Sequence, residues 1–67
     1  MISYHIKTQH KDFPHYNVFM DTIEALTIEE AISDFLMRLR VANLSDYKII
    51  VEFMNEDKLE IKHYQFT

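Results

Sequence analysis

The fold is decided by one stretch, Thr27-Ile28-Glu29-Glu30-Ala31-Ile32-Ser33-Asp34-Phe35-Leu36-Met37-Arg38-Leu39-Arg40-Val41-Ala42-Asn43. Its apolar residues recur at the three- and four-residue spacing that places them on one side of an α-helix. They are Ile28, Ala31, Ile32, Phe35, Leu36, Leu39 and Ala42. Thr27 and Glu30 have the spacing of a capping box, which begins a helix. The stretch predicts an amphipathic helix over residues 27–43 that ends with Asn43 in the left-handed conformation and Leu44 packed back on Leu39.

The segments on either side of this helix alternate between apolar and polar residues, as strands do. We predict strands over residues 1–8, 16–24, 47–54 and 59–66, a polar loop over 9–15 and a tight turn over 55–58. The resulting order, ββαββ, predicts a two-layer α+β fold in which the helix covers one face of a four-stranded, mainly antiparallel sheet. The strand order 2-1-3-4 and a mixed, β-grasp-like order both stay open.

Length and composition limit the possible functions. The 67 residues are enough for one domain, spanning 1–67, with a thin core. The chain has no Cys and no Gly, which excludes thiolate zinc sites and glycine-rich phosphate loops. It begins without the apolar segment of a signal peptide and contains no apolar run of membrane-spanning length. We therefore expect a cytoplasmic protein without a membrane partner.

Alternation also predicts which side chains the helix leaves uncovered. It assigns Tyr16, Val18 and Met20 to the core in the second strand, and Leu59 and Ile61 in the fourth. The uncovered face then carries large apolar residues among charged ones. They are Phe19, Ile50, Met54, Tyr64 and Phe66. Such a patch is typical of a protein interface. For the last two residues, a bulge near His63 that turns them inward is the alternative.

Two further surfaces are candidates for contact with a partner. Met37 and Val41 lie one turn apart on the back of the helix and could form a small apolar ridge. Acidic residues dominate the junction between the second strand and the helix, in a chain of net charge −4. They are Asp21, Glu24, Glu29, Glu30 and Asp34. This acidic surface could imitate DNA phosphates, or it could serve only to cap the helix and face solvent.

Neither catalysis nor metal binding is predicted. His5, His10, His15 and His63 have no spacing that places them on a common face, as metal ligands require. No nucleophile lies near a base and an orienting group. We expect no enzymatic activity, no metal and no cofactor.

The junction Thr27-Ile28-Glu29-Glu30-Ala31-Ile32 resembles the strand–T-x-E-E-A–helix junction of many small β-β-α-β proteins. HicB-like antitoxins and short phage-encoded inhibitors of host enzymes are examples. The likeness covers about ten residues and lacks the glycine-containing signatures of HicB-like domains, so no functional residue is carried over from it.

These patterns together favour a small, non-enzymatic protein-interaction domain. It would bind another protein or itself, as a homodimer, through the uncovered sheet face or the helix back. A phage- or mobile-element-type inhibitor or regulator is the most concrete form of this hypothesis. The alternatives are a module that binds single-stranded nucleic acid on the same face, where outward aromatics could stack on bases, and an acidic DNA mimic. Nucleic acid is the less favoured partner, because the face lacks a basic excess.

Overall fold

The computed structural model describes residues 1–40 and 43–66, with Pro14 described by its backbone alone. The chain forms one four-stranded sheet and one α-helix. The elements are β1 (Ile2–His10), β2 (Phe13–Ala25), α1 (Ile28–Arg38), a 3-10 turn (Leu44–Asp46), β3 (Tyr47–Asn55) and β4 (Lys58–Gln65). Every strand pair is antiparallel, and the strands lie in the order β2-β1-β3-β4. The α+β, ββαββ prediction is confirmed, and the strand order is the wholly antiparallel one.

The helix begins where the sequence predicts. The Glu30 backbone N–H donates to Thr27 Oγ1 at 3.2 Å, and the Glu30 carboxylate accepts from the Leu26 N–H at 3.3 Å. The first bond satisfies an amide that the first helical turn leaves without a partner, and the second ties the Glu30 side chain to the residue just before the N-cap Thr27.

The predicted end of the helix is wrong. Leu39 is already extended (φ −78°, ψ 126°), and Asn43 is also extended (φ −141°) rather than left-handed. Leu39 packs against the core from extended backbone and Leu44 from the start of the 3-10 turn, so neither needs the predicted contact with the other.

The first connection is shorter than predicted. Residues 9–15 do not form a loop, because β1 continues to His10 and β2 starts at Phe13. The turn between β1 and β2 is bound to the 3-10 turn that precedes β3. The Lys11 N–H donates to the Asp46 carbonyl at 2.9 Å, and Lys11 Nζ lies 3.1 Å from Asp46 Oδ1. Pro14 is tolerated in β2 because that strand lies at the edge of the sheet, where a missing N–H breaks no inner ladder.

The core lies between the helix and one face of the sheet. Its buried residues come from α1 and three of the strands. They are Tyr4, Ile6, Ile23, Ala25, Ala31, Phe35, Ile49, Val51 and Phe53. Alternation predicts that Tyr4 and Ile6 in β1 and Ile49, Val51 and Phe53 in β3 face the helix, and these predictions are confirmed. The apolar stripe of the helix is confirmed from Ile28 to Leu39, whereas its last predicted member, Ala42, lies outside the described residues.

The predicted faces of β2 are reversed. Phe19 lies opposite Thr8 and Ile23 lies opposite Tyr4, which places both β2 residues on the helix side. Tyr16, Val18 and Met20 are exposed instead. The pairing shifts by one residue at Val18, between Phe19 and Asn17, so the buried set starts only beyond that bulge.

The predicted faces of β4 are also reversed. Leu59 and Ile61 are exposed, whereas Tyr64 and Phe66 are half-buried against the core. No bulge near His63 is responsible, because pairing with β3 is continuous from Asn55–Lys58 to Lys48–Gln65. The register follows from the two-residue turn Glu56–Asp57, in which both residues have positive φ, 50° and 67°.

Among the described residues, no helix is long and apolar enough to cross a lipid bilayer.

Candidate protein interface

One face of the sheet carries no helix, and we call it the open face. Cross-strand pairing places every second residue of each strand on it. Its apolar members are Met20, Ile50, Met54, Leu59 and Ile61. Its polar and charged members on the central strands are Ser3, His5, Lys7, Gln9, Lys48 and Glu52.

Most apolar residues of the open face gather on β3 and β4. Met54 pairs directly with Leu59. Ile61 lies opposite Glu52, which is the residue of β3 that follows Ile50 on the open face. We call Ile50, Met54, Leu59 and Ile61 the β3–β4 patch. Met54, Leu59 and Ile61 are 54%, 61% and 51% exposed, whereas Ile50 at the centre of the sheet is only 7% exposed. The patch thus has a covered centre and an exposed margin.

A cleft extends the patch toward the amino terminus. It has a volume of about 400 Å³, and it lies between the start of β1 and the β3–β4 turn. Its apolar lining residues are Met1, Ile2, Phe53, Met54 and Leu59. Apolar side chains of the open face are therefore accessible from the end of the sheet as well as from above.

Polar pairs occupy the other half of the open face, over β1 and β2. Lys7 Nζ lies 3.4 Å from Glu52 Oε1, and His5 Nδ1 lies 2.9 Å from Thr22 Oγ1. The Gln9 amide donates to Asn17 Oδ1 at 3.1 Å. Together with Met20, residues of this half line a shallow groove of about 550 Å³. Here the polar groups satisfy one another on the protein surface.

The structure brings only part of the predicted apolar set together. Ile50 and Met54 lie on the open face, as predicted. Phe19, Tyr64 and Phe66 do not, because they face the helix side and pack against the core. The Phe19 ring centre lies 5.5 Å from that of Phe35 in the helix, and Tyr64 lies opposite Ile49.

Sequence reasoning missed Met20, Leu59 and Ile61, which were assigned to the core. A signal for the two β4 residues was present in the turn. A two-residue turn at Glu56–Asp57 requires Asn55 to pair with Lys58, and that register places Leu59 beside Met54.

The predicted ridge on the helix back is described only in part. Met37 is 82% exposed on α1, and Val41 lies outside the described residues. The exposure of Met37 agrees with its predicted place on the helix back, and the ridge itself stays a prediction.

The predicted acidic surface is divided between the two sides of the sheet. Asp21 and Asp34 both bind Arg38, at 2.7 and 3.1 Å, on the helix side. Glu24 pairs with Ser3 on the open face. Because Asp21 accepts a hydrogen bond from the Arg38 guanidinium and a second from the Thr22 N–H, the pKa of its carboxyl is lowered.

The remaining acidic residues lie at the start of the helix. Glu29 and Glu30 occupy its first turn, where the helix dipole favours negative charge. Burial raises the pKa of the nearby Tyr4 phenol, and these two carboxylates raise it further. Much of the acidic surface thus has a structural role.

The histidines do not converge. His10 packs against Phe13 and Tyr47, with ring centres 5.5 and 5.1 Å away, at the far end of the sheet from the β3–β4 patch. His15 and His63 are exposed on β2 and β4. Within residues 1–40 and 43–66, no three His, Asp or Glu side chains are grouped as metal ligands.

No protein-family model matches this chain, and neither a characterised protein nor a solved structure shows significant similarity to it.

Proposed function

We propose that this chain is a small, non-enzymatic protein-interaction domain that binds its partner through the open face. The observation that carries the proposal is the β3–β4 patch, where three adjacent apolar side chains are more than half exposed. An antiparallel sheet that faces water on one side is normally polar on that side. Adjacent exposed apolar residues instead mark a surface that another molecule covers.

The composition of the patch suits protein contact. Methionine is enriched at protein interfaces, and Met54 in the patch can adapt to the shape of a partner because its side chain is unbranched, as can Met20 elsewhere on the open face. Polar residues such as Lys7, Glu52 and His5 adjoin the patch and could form the polar rim of an interface. An inhibitor or regulator that acts by covering a partner's surface requires no more than this, and we include that mode of action in the proposal.

The two alternative functions have less support. Binding of single-stranded nucleic acid depended on Phe19, Tyr64 and Phe66 as stacking platforms, and these face the helix side. Imitation of DNA depended on one continuous acidic surface, whereas Asp21 and Glu24 lie on opposite sides of the sheet. We therefore do not propose either function.

A photo-crosslinking experiment tests the proposal. A photoreactive amino acid replaces Ile61 in one variant and Met37 in another, because both positions are exposed and lie on different surfaces. After irradiation in the producing cells, we expect discrete protein adducts from position 61, including any with a second copy, and none of matching yield from position 37. Adducts should decrease when Leu59→Lys is added. Equal labelling at both positions, or adducts only from position 37, would contradict the proposal.

A further inference from the structure

We propose that the partner covering the open face is a second copy of this chain, so that two sheets pack face to face. This inference rests on the proposed function, because it names the occupant of the same surface. Three properties of the chain support it: the size of the face, its charge, and the state of the two sheet edges.

The open face is the broad side of the sheet that the helix leaves uncovered, and a dimer interface needs a broad side. A specific interface takes about 800 Å² from each partner. That is about one-sixth of the 4865 Å² surface of this chain, so only a broad side of the molecule can supply it. The principal extents of the chain are 34 × 22 × 18 Å, so a rectangle of the two longest extents measures about 750 Å², close to the area that such an interface takes from one partner. Sheets pack about 10 Å apart, face to face, when side chains of both interleave.

The charge of the open face permits two copies to meet there. Lys7 and Lys48 balance Glu24 and Glu52, so the face is neutral in a chain of net charge −4. The whole excess of negative charge therefore lies elsewhere, including the helix and the turn Glu56–Asp57. Two copies that meet through the acidic start of the helix, at Glu29 and Glu30, bring like charges together, whereas the open faces meet without net repulsion.

The two sheet edges are poorly suited to adding a strand from a second copy. β2 contains Pro14, which has no N–H, and its pairing is interrupted by the bulge at Val18. Charged residues recur along β4 at Lys58, Glu60 and Lys62. Proline, bulges and charges are the features by which natural edge strands resist pairing. Association through the face is therefore favoured over extension of the sheet.

Methionine methyl NMR on the unmodified chain gives a direct test. Met20 and Met54 lie on the open face, and Met37 lies on the helix back as an internal control. On dilution from millimolar to micromolar concentration, we expect the first two methyl signals to shift together and the Met37 signal to stay unchanged. Light scattering over the same range should show the mass falling from twice 8.1 kDa toward 8.1 kDa.

Two charge variants complete the test. Ile61→Lys places an unpaired charge in the β3–β4 patch and should raise the dimer dissociation constant at least about tenfold. Met37→Lys adds the same charge on the helix and should leave it unchanged, with circular dichroism confirming that both variants fold.

The outcomes separate this inference from the proposed function. A wild-type chain whose mass stays at 8.1 kDa up to millimolar concentration overturns the inference that the partner is a second copy. Adducts with a different protein at position 61 would still support the proposal that the open face binds a partner. A dimer that resists Ile61→Lys, or in which only the Met37 methyl shifts, overturns self-association through the open face.

Discussion

Arg38 in the helix donates to Asp21 in β2 at 2.7 Å, and with its second nitrogen to Asp34 one helical turn earlier at 3.1 Å. A charged residue of the edge strand can therefore face the helix side, because the helix supplies its counter-charge. The pair fixes the end of α1 over β2, where Phe19 and Phe35 also meet.

This pair predicts how stability responds to acid. The pKa of Asp21 is lowered in the folded chain from its usual 3.8, mainly by the hydrogen bond from Arg38. Its contribution is therefore present above about pH 4 and is lost as the pH falls through the lowered value. Asp21→Asn should slightly reduce the urea midpoint at pH 6, and the difference from wild type should shrink at pH 2.5. Glu24→Gln is the control, since Glu24 makes no ion pair among the described residues.

Phe35 is the largest fully buried side chain, and the fold should depend on it. Phe35→Ala removes a ring that packs at 5.5 Å from Phe19, at a cost of about 3–5 kcal/mol. A domain of this size is stable by only about 3–5 kcal/mol, so we expect the variant to be largely unfolded by circular dichroism and NMR. Phe13→Ala, at a position 60% exposed, should stay folded. A Phe35→Ala variant that unfolds in one cooperative transition with a near-normal thermal midpoint would contradict the central place of Phe35 in the core.

Thr8 offers a stabilising substitution. Its side chain is fully buried between Phe19 and Ile49, and its Oγ1 has no hydrogen-bond partner among the residues that the structure describes. Thr8→Val keeps the shape and removes the buried hydroxyl, so the free energy of unfolding should rise by about 1 kcal/mol in a denaturant titration. Thr22→Val should give no gain, because Thr22 Oγ1 hydrogen-bonds to His5. A loss of stability in Thr8→Val would mean that the hydroxyl has a partner.

The β3–β4 turn offers a second stabilising change, a pair of substitutions. Glu56 and Asp57 hold positive φ angles, which cost a residue with a Cβ about 1–2 kcal/mol. Glu56→Asn combined with Asp57→Gly supplies the residues that such turns prefer and should raise the thermal midpoint by about 4–8 °C per kcal/mol gained. Asp57→Ala retains the strain and should bring no increase. A lower midpoint in the double variant would indicate that the native side chains stabilise the turn more than its backbone strain costs.

The sequence predicted the elements better than their faces. The helix start and the inward sides of β1 and β3 follow from capping and from strands buried at the centre of the sheet, where alternation is strict. β2 could not be predicted in this way, because Asp21 on the helix side is tolerated only through Arg38, a partner that alternation does not reveal. For β4 the turn residues contained the register, and pairing Asn55 with Lys58 would have placed Tyr64 beside Ile49.

The sequence predicts that one sheet face stays uncovered and carries apolar residues, but it does not predict which residues of the edge strands lie on that face. Ile50 and Met54 were placed correctly because β3 is central, whereas the residues taken from the two edge strands were on the wrong side. An edge strand pairs with one neighbour instead of two. A bulge or a turn therefore decides which of its side chains point to the helix side, more than the composition of the strand does.

The strand order β2-β1-β3-β4 has a consequence for the order in which the chain folds. β1–β2 and β3–β4 are local hairpins, which form within about 1–10 μs, whereas joining β1 to β3 brings His5 to Glu52 across most of the sequence. Closing that long loop should limit the folding rate, so Val51→Ala should slow refolding in stopped-flow measurements. During synthesis, β1 leaves the ribosome before β3. Until β3 follows, the nascent chain exposes the edge of β1 that pairs with β3 in the native sheet.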